Sequence, residues 1–228
     1  MQTLLNVVDL KKDYEVGETV VHALRGVSTE VERGEFTAIA GPSGSGKSTL
    51  LNLIGCLDKP TSGKVFINEV DVSSYNKKEL ANIRRESIGF VFQTFNLIPI
   101  LTAFENVAFP LSLLRKSADD IEKNVNGLLG DVGLGGMEHR YPRELSGGQQ
   151  QRVAVARALV KGPSIILADE PTANLDSATG GEILDLMRDL NEHKEATFIF
   201  STHDPMVMDR AKRIIHLHDG QIHSDERK

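Results

Sequence analysis

The nonapeptide Gly41-Pro42-Ser43-Gly44-Ser45-Gly46-Lys47-Ser48-Thr49 fits the spacing G-x-x-x-x-G-K-[ST], which suits it to hold a chain of phosphates. Its glycines let the backbone curl so that successive N–H groups point inward, and a following helix adds partial positive charge. In such a loop Lys47 reaches the β- and γ-phosphates, and the Ser48 hydroxyl takes a place on Mg²⁺. Other polar groups stand at the ends of apolar runs: Gln93, Asp169 with Glu170, and His203. A strand capped by an acid suits Asp169 to hold Mg²⁺. Glu170, next along, suits a general base that accepts a proton from attacking water.

These groups need elements to hold them. Phe36-Thr37-Ala38-Ile39-Ala40 reads as a buried strand, and Leu50, Leu51, Leu53, Ile54 and Leu57 as a helix apolar nearly all round. Ile88 to Phe92, Ser164 to Ala168 and Thr197 to Ser201 are further buried strands, each ending just before one of the polar groups. Carboxyl ends of strands are where open α/β sheets bind ligands, so the four groups should meet at one crevice. Residues 3 to 32 read as strands with a turn at Glu15 to Glu18, and Lys64 to Val70 as another strand. Arg213 to His218 and Gln221 to His223 read as a final strand pair. Between Thr94 and Lys161 the β-branched runs give way to helical segments near Ala103–Leu114, Ala118–Val132 and Gln149–Val160. In the last, Val153, Ala156 and Val160 share a face, leaving Arg152 and Arg157 for solvent or partners. The expected organisation is one domain, with an α/β core over 1–93 and 162–228 and a helical lobe over 94–161.

Composition narrows the function classes. The 228 residues are 40% hydrophobic and 25% charged with a formal net charge of −6, which argues against a nucleic-acid-coating surface. The single cysteine, Cys56, falls in an apolar segment and reads as a core thiol. Neither a leader-like N-terminus nor a run of about 18 apolar residues is present, so a soluble, cytosolic chain is expected. His216, His218 and His223 lie near one another on the last strands, but no cysteine or carboxylate cluster completes a metal set, so a solvated sheet edge is expected.

Leu145-Ser146-Gly147-Gly148-Gln149, with the Gln-Gln-Arg-Val-Ala-Val-Ala-Arg-Ala-Leu after it, resembles the signature motif of ABC-transporter ATPases. It lies between the phosphate loop and Asp169-Glu170, and the resemblance extends over the whole chain. It implies a P-loop NTPase core of RecA-like type, an N-terminal antiparallel β-subdomain and an inserted α-helical lobe. It implies ATP and Mg²⁺ as ligands, with Ser48, Gln93 and Asp169 around the metal. Gln93 resembles the glutamine that also relays to the permease, His203 the switch histidine at the γ-phosphate, and Tyr14 the aromatic that stacks on adenine. Ala173-Asn174-Leu175-Asp176 resembles the loop that crosses the dimer, with Asn174 where many members carry serine. Such ATPases work as head-to-tail pairs, in which Ser146, Gly147, Gly148 and Gln149 of one copy complete the ATP site of the other.

Gly55 to Gly63, Phe95 to Pro99, Leu101 to Val107 and Ala168 to Asp176 resemble the group containing lipoprotein-releasing, macrolide-export and cell-division ATPases. The resemblance implies a subunit at the cytoplasmic face of the inner membrane, peripheral through a permease that contacts roughly Phe92–Glu105. Phe95, Leu97, Ile98 and Ile100 would supply apolar contacts there. The alternative within that group is a cell-division or cell-envelope complex that transmits force without moving cargo. Chromosome-maintenance ATPases need long coiled coils, and no sustained heptads occur here. A GTPase would carry Asn-Lys-x-Asp, which Asn76-Lys77-Lys78-Glu79 does not match.

Overall fold

The computed structural model describes residues 2–228. Two long strands, β1 (Thr3–Val16) and β2 (Thr19–Glu32), form an antiparallel hairpin around Gly17-Glu18. β3 (Phe36–Ala40) is buried along its whole length and delivers the chain into the phosphate loop and α1 (Lys47–Ile54). The strand expected over Lys64–Val70 is instead two, β4 (Ser62–Ile67) and β5 (Val70–Asp71). Asn68 and Glu69 between them have φ of 49° and 66°, a left-handed pair that reverses the chain within two residues. β4 joins the free edge of β1, so the first sheet runs β2-β1-β4-β5.

After α2 (Lys77–Ser87) and β6 (Ile88–Phe92) come three helices without an intervening strand: α3 (Ala103–Leu113), α4 (Ala118–Asp131) and α5 (Gly147–Leu159). The α/β alternation then resumes through β7 (Ile165–Asp169), α6 (Ser177–Lys194), β8 (Thr197–Thr202), α7 (Pro205–Arg210), β9 (Arg213–His218) and β10 (Gln221–Arg227). The second sheet has the order β10-β9-β3-β8-β7-β6, with β9, β3, β8, β7 and β6 parallel and β10 antiparallel at the edge.

Helices cover both faces of this sheet, which is why its strands read as unbroken apolar runs rather than alternating ones. The period of two sorts the side chains. Ile165 and Leu167 of β7 pack towards α1 with Leu50, Leu53 and Ile54, whereas Ile166 and Ala168 pack towards α5 and α6 with Val155, Ile183 and Met187. On the α5–α6 side Phe198 and Phe200 stack and Phe36 packs against both at a tilt of 53°, with ring centroids 4.6 to 5.9 Å apart. Leu57 lies beyond the end of α1 and is exposed, so the apolar helix read from the sequence ends sooner than expected. Cys56 is buried in the core, and burial pushes its thiol up to about 11, which makes it inert at neutral pH.

α5 corrects the sequence reading most. Val153, Ala154, Val155 and Ala156 are all 0% exposed, so the helix is buried on every side rather than along one face. Its arginines are not free. Arg152 donates to the Val132 carbonyl oxygen (3.0 Å) and to Glu182 (3.2 Å), and Arg157 donates to the carbonyl oxygens of Asn96 (2.5 Å) and Phe95 (2.7 Å). In a helix with no solvent-facing side, a long basic side chain runs along apolar surface until it reaches polar acceptors.

Candidate nucleotide-binding and catalytic site

The parallel register aligns the strand ends. Ala40 pairs with Thr202, Asp169 with Ser201, and Phe92 with Asp169, so the residues that follow emerge along one edge of the sheet. There Pro42, Ser43, Gly44, Gly46, Lys47, Ser48 and Thr49 line a cleft of about 500 Å³ together with Gln93, Glu170 and His203. The four groups expected to meet at one crevice do meet there.

The loop's shape follows from local constraints. Gly46, the residue before α1, has φ 103°, and a Cβ there would lie 2.6 Å from the Ala23 carbonyl oxygen. Only glycine allows that approach. The loop is tied down by Ser45, whose N–H donates to Pro42 and whose carbonyl accepts from Gly220 (3.0 Å) in the β9–β10 turn. The first turn of α1 has no side-chain cap, so its amides face the cleft without intrahelical partners. Lys47 is 7% exposed and donates to the carbonyl oxygens of Gly41 (2.8 Å) and Pro42 (3.0 Å), which sets its ammonium inside the curl of the loop.

Next to Lys47, Ser48 Oγ donates to Asp169 Oδ1 at 3.2 Å. Both are hard oxygen donors, suited to Mg²⁺. Among the described residues no group of three His, Cys, Asp or Glu could cage a metal.

Glu170 is held on several sides. Its backbone N–H donates to the Ser201 carbonyl oxygen (2.9 Å), and Oε2 accepts from Thr202 Oγ1 (3.3 Å). Oε1 lies 2.6 Å from His203 Nδ1. At φ 45° it occupies the left-handed region, a cost that surrounding structure must offset and that is common at functional positions. Asn174 Nδ2 donates to the Gln93 carbonyl oxygen (3.0 Å), so the loop after Glu170 is fastened to the loop after β6.

Several sequence candidates lie outside the cleft lining. Gly41, Ser45 and Asp169 are among these, Asp169 reaching the lining through its contact with Ser48. Tyr14 lies one strand away, opposite Val21, with its hydroxyl on Asp58 (3.1 Å) and Lys12 Nζ 4.8 Å over its ring. Ser146, Gly147, Gly148 and Gln149 open α5. Ser146 Oγ accepts from Gln149 N–H and Gln149 Oε1 accepts from Ser146 N–H, a capping box that leaves the amides of the two glycines unpaired within the helix. Gly148 has a packing reason as well: a Cβ there would lie 2.5 Å from Thr179 Cγ2 on α6.

The sequence reading missed Val21, His22 and Ala23 of β2, which line the cleft, and gave Ala173, which lines it too, only as part of the loop that crosses the dimer. It also missed Gln151, which is fully buried and donates to the carbonyl oxygen of Pro171 (2.6 Å), one residue beyond Glu170. Gln151 carried no signal of its own, because Gln149, Gln150 and Arg152 beside it are polar too. For the β2 residues no local signal exists, because β2 reaches the cleft only through tertiary packing.

Comparison with known proteins places this geometry. Residues 24–173 match the family model described as ABC transporter. An ABC transporter ATP-binding protein of Thermotoga maritima is 50% identical over 228 residues, covering 100% of this chain and 97% of that protein. A lipoprotein-releasing system ATP-binding protein, LolD, of Anaeromyxobacter dehalogenans is 49% identical over 95% of this chain and 91% of its own length. The macrolide export ATP-binding/permease protein MacB of Syntrophobacter fumaroxidans is 48% identical over 96% of this chain, which spans 31% of that longer protein. A dimeric ATP-binding cassette of Methanocaldococcus jannaschii, solved in a post-hydrolysis state with ADP and Pi, superposes with TM-score 0.90 at 46% identity over 98% of both chains. With its phosphate loop, acidic strand end and helical lobe in this arrangement, the chain belongs to the ABC transporter family as one of its ATP-hydrolysing cassettes.

Proposed function

We propose that the chain works as one of two head-to-tail copies that power a membrane permease of the lipoprotein-release or efflux type. The observation that carries this is the division of the site. Lys47, Ser48, Gln93, Glu170 and His203 face one cleft, whereas the unpaired amides of Gly147 and Gly148 head a helix on the other lobe. A second copy would bring that helix N-terminus, with Ser146, to the γ-phosphate and stabilise the charge that develops there. The dimeric relative and the relatives named for lipoprotein release and macrolide export support the reading.

Within one site, Lys47 and the loop amides would hold the β- and γ-phosphates. Ser48 and Asp169, with Gln93 beside them, would hold Mg²⁺, which neutralises phosphate charge when bound. Tyr14, beside the rim strand, would stack on adenine. Glu170 would accept the proton of the attacking water, and His203 would orient Glu170 and meet the γ-phosphate. Loss of the phosphate after hydrolysis removes the bridge between the copies, and the pair opens by population shift.

No described helix is long and apolar enough to cross a membrane, so attachment to the cytoplasmic face of the inner membrane would run through the permease. Its contact zone was expected along Phe92–Glu105. Leu97 packs on the lobe core, and Asn106 holds the Ile98 amide (2.8 Å), while Ile100 is 81% exposed. Beside this loop, Phe92 and Asn96 help line a groove between α2, α3 and α5. The tagged chain recovered from detergent-solubilised native membranes should retain an integral-membrane partner, and the pair's ATP hydrolysis should vanish with Glu170→Gln. Recovery of the active chain wholly without such a partner would contradict the reading.

A further inference from the structure

A buried amide ties the loop that carries Glu170 to the helical lobe. Gln151 lies on α5, one turn beyond Gly147 and Gly148, the glycines that would meet the ATP bound by a second copy. It is 0% exposed, and its Nε2 donates to the Pro171 carbonyl oxygen at 2.6 Å. Only the nitrogen of the amide can face a carbonyl oxygen at that distance, which fixes the orientation of the group. Its Oε1 is then buried without a hydrogen-bond partner among the described residues. A buried acceptor left unpaired costs stability. An apolar side chain of the same shape would remove that cost and leave the Pro171 carbonyl unpaired instead. Stability is therefore nearly even between the two, and does not by itself call for an amide here.

What the amide holds is the turn after the base. Glu170 has φ 45°, a conformation that persists only while its surroundings hold it. The Ala173 N–H donates to the Glu170 carbonyl oxygen (3.2 Å), closing a turn around Pro171 and Thr172. That turn is fastened on two sides. From the core, Thr172 Oγ1 donates to Asp204 Oδ2 (3.0 Å), next to His203. From the lobe, Gln151 takes the Pro171 carbonyl. α5 has little freedom to absorb a push at this end: Gly148 is packed against Thr179 of α6, and Val153 to Ala156 are fully buried. A shift of the α5 N-terminus thus reaches Pro171 through one side chain, and Glu170 is the next residue.

We propose that Gln151 is a positioning residue for Glu170, setting the base of a chain's own ATP site from the helix whose N-terminus meets the ATP of the second copy. The proposal rests on the reading of the chain as one of two head-to-tail copies. Gln151 touches neither nucleotide nor water and acts through the Pro171 carbonyl alone. Without its bond, ATP still binds and the copies still pair, but the Glu170 carboxylate is less well aimed at the attacking water. Aim of this kind governs the rate of the chemical step rather than the binding that precedes it.

The test uses the full chain with Gln151→Met, which keeps the length of the side chain and loses the donor, and Gln151→Leu as a second apolar shape. In both, kcat for ATP should fall roughly ten- to a hundredfold while KM stays as in the parent. The urea midpoint should be unchanged, because one unpaired buried oxygen replaces another. Combined with Glu170→Gln, either change should leave the ATP concentration that forms the dimer where Glu170→Gln alone puts it, as read by light scattering. An unchanged kcat in both variants would overturn the proposal. A lowered urea midpoint beside the slower turnover would make Gln151 a packing residue, and a weakened ATP dimer would assign it to the partner's site; either result overturns the proposal too. Failure of Glu170→Gln itself to dimerise would tell against the two-copy reading alone, since kcat, KM and the urea midpoint still decide whether Gln151 positions Glu170.

Discussion

Ser48 Oγ lies 3.2 Å from Asp169 Oδ1, although the two residues are 121 positions apart in the chain. The contact forms because β3 and β7 both flank β8 in one parallel register, so the loop after β3 and the acid ending β7 face each other. Removing either oxygen should show as a metal requirement. Ser48→Ala should raise the Mg²⁺ concentration for half-maximal ATP hydrolysis by roughly ten- to a hundredfold. A Mg²⁺ titration of the ATPase rate checks this, and an unshifted midpoint would remove Ser48 from the metal.

Tyr14 offers a sharper choice, because its hydroxyl already has a partner in Asp58. If its ring carries adenine, Tyr14→Ala should weaken ATP binding roughly tenfold or more, on the scale of about 1–3 kcal/mol for a base on an aromatic ring. Tyr14→Phe, which keeps the ring and loses the hydrogen bond, should bind nearly as the parent does. Calorimetric titration with ATP distinguishes the two. Equal losses in both variants would assign Tyr14 to strand packing.

Gly148 is required by packing as well as by chemistry. Gly148→Ala places a methyl group 2.5 Å from Thr179 Cγ2, so urea unfolding should show a loss of about 1–3 kcal/mol. Thr179→Ser removes that Cγ2, and the double variant should regain most of the loss. A double variant as unstable as Gly148→Ala alone would show that the clash lies elsewhere.

Lys161 gives a pH signature. Burial brings its ammonium down to about 8 from an ordinary 10.5. Between those values the unfolded chain holds a proton that the folded chain has released, so stability rises with pH across that window. Read downward, the advantage is lost as pH falls through about 8. Comparing Lys161→Met with the parent cancels the other groups that titrate there. The parent should gain stability relative to the variant as pH goes from 8 to 10.5, and parallel curves would contradict the assignment.

How much of this was legible in the sequence follows the range of the forces involved. The buried strands were readable because five consecutive apolar residues need a sheet covered on both faces, and the polar residue after each marked the ligand edge. The capping box at Ser146 and Gln149 is equally local, yet it was read only as part of a motif and not as a helix start. Arg152 and Arg157 were misplaced because periodicity reports which face is apolar, not where a long side chain ends. α5 proved to have no solvent face, and its arginines close distant carbonyls instead. The Asn68-Glu69 reversal was hidden by β-rich neighbours on either side. The groove between α2, α3 and α5 was the least legible feature, since α2, α5 and the loop after β6 supply it from separate parts of the chain.

The central claim is that each ATP is hydrolysed between two copies of this chain, with Glu170 as the base. It is tested most directly by measuring the mass of Glu170→Gln by light scattering after size exclusion, with and without saturating Mg-ATP. The account predicts no turnover, a monomer without nucleotide and a stable dimer with ATP. A Glu170→Gln protein that stays monomeric in saturating ATP while still binding the nucleotide would contradict it.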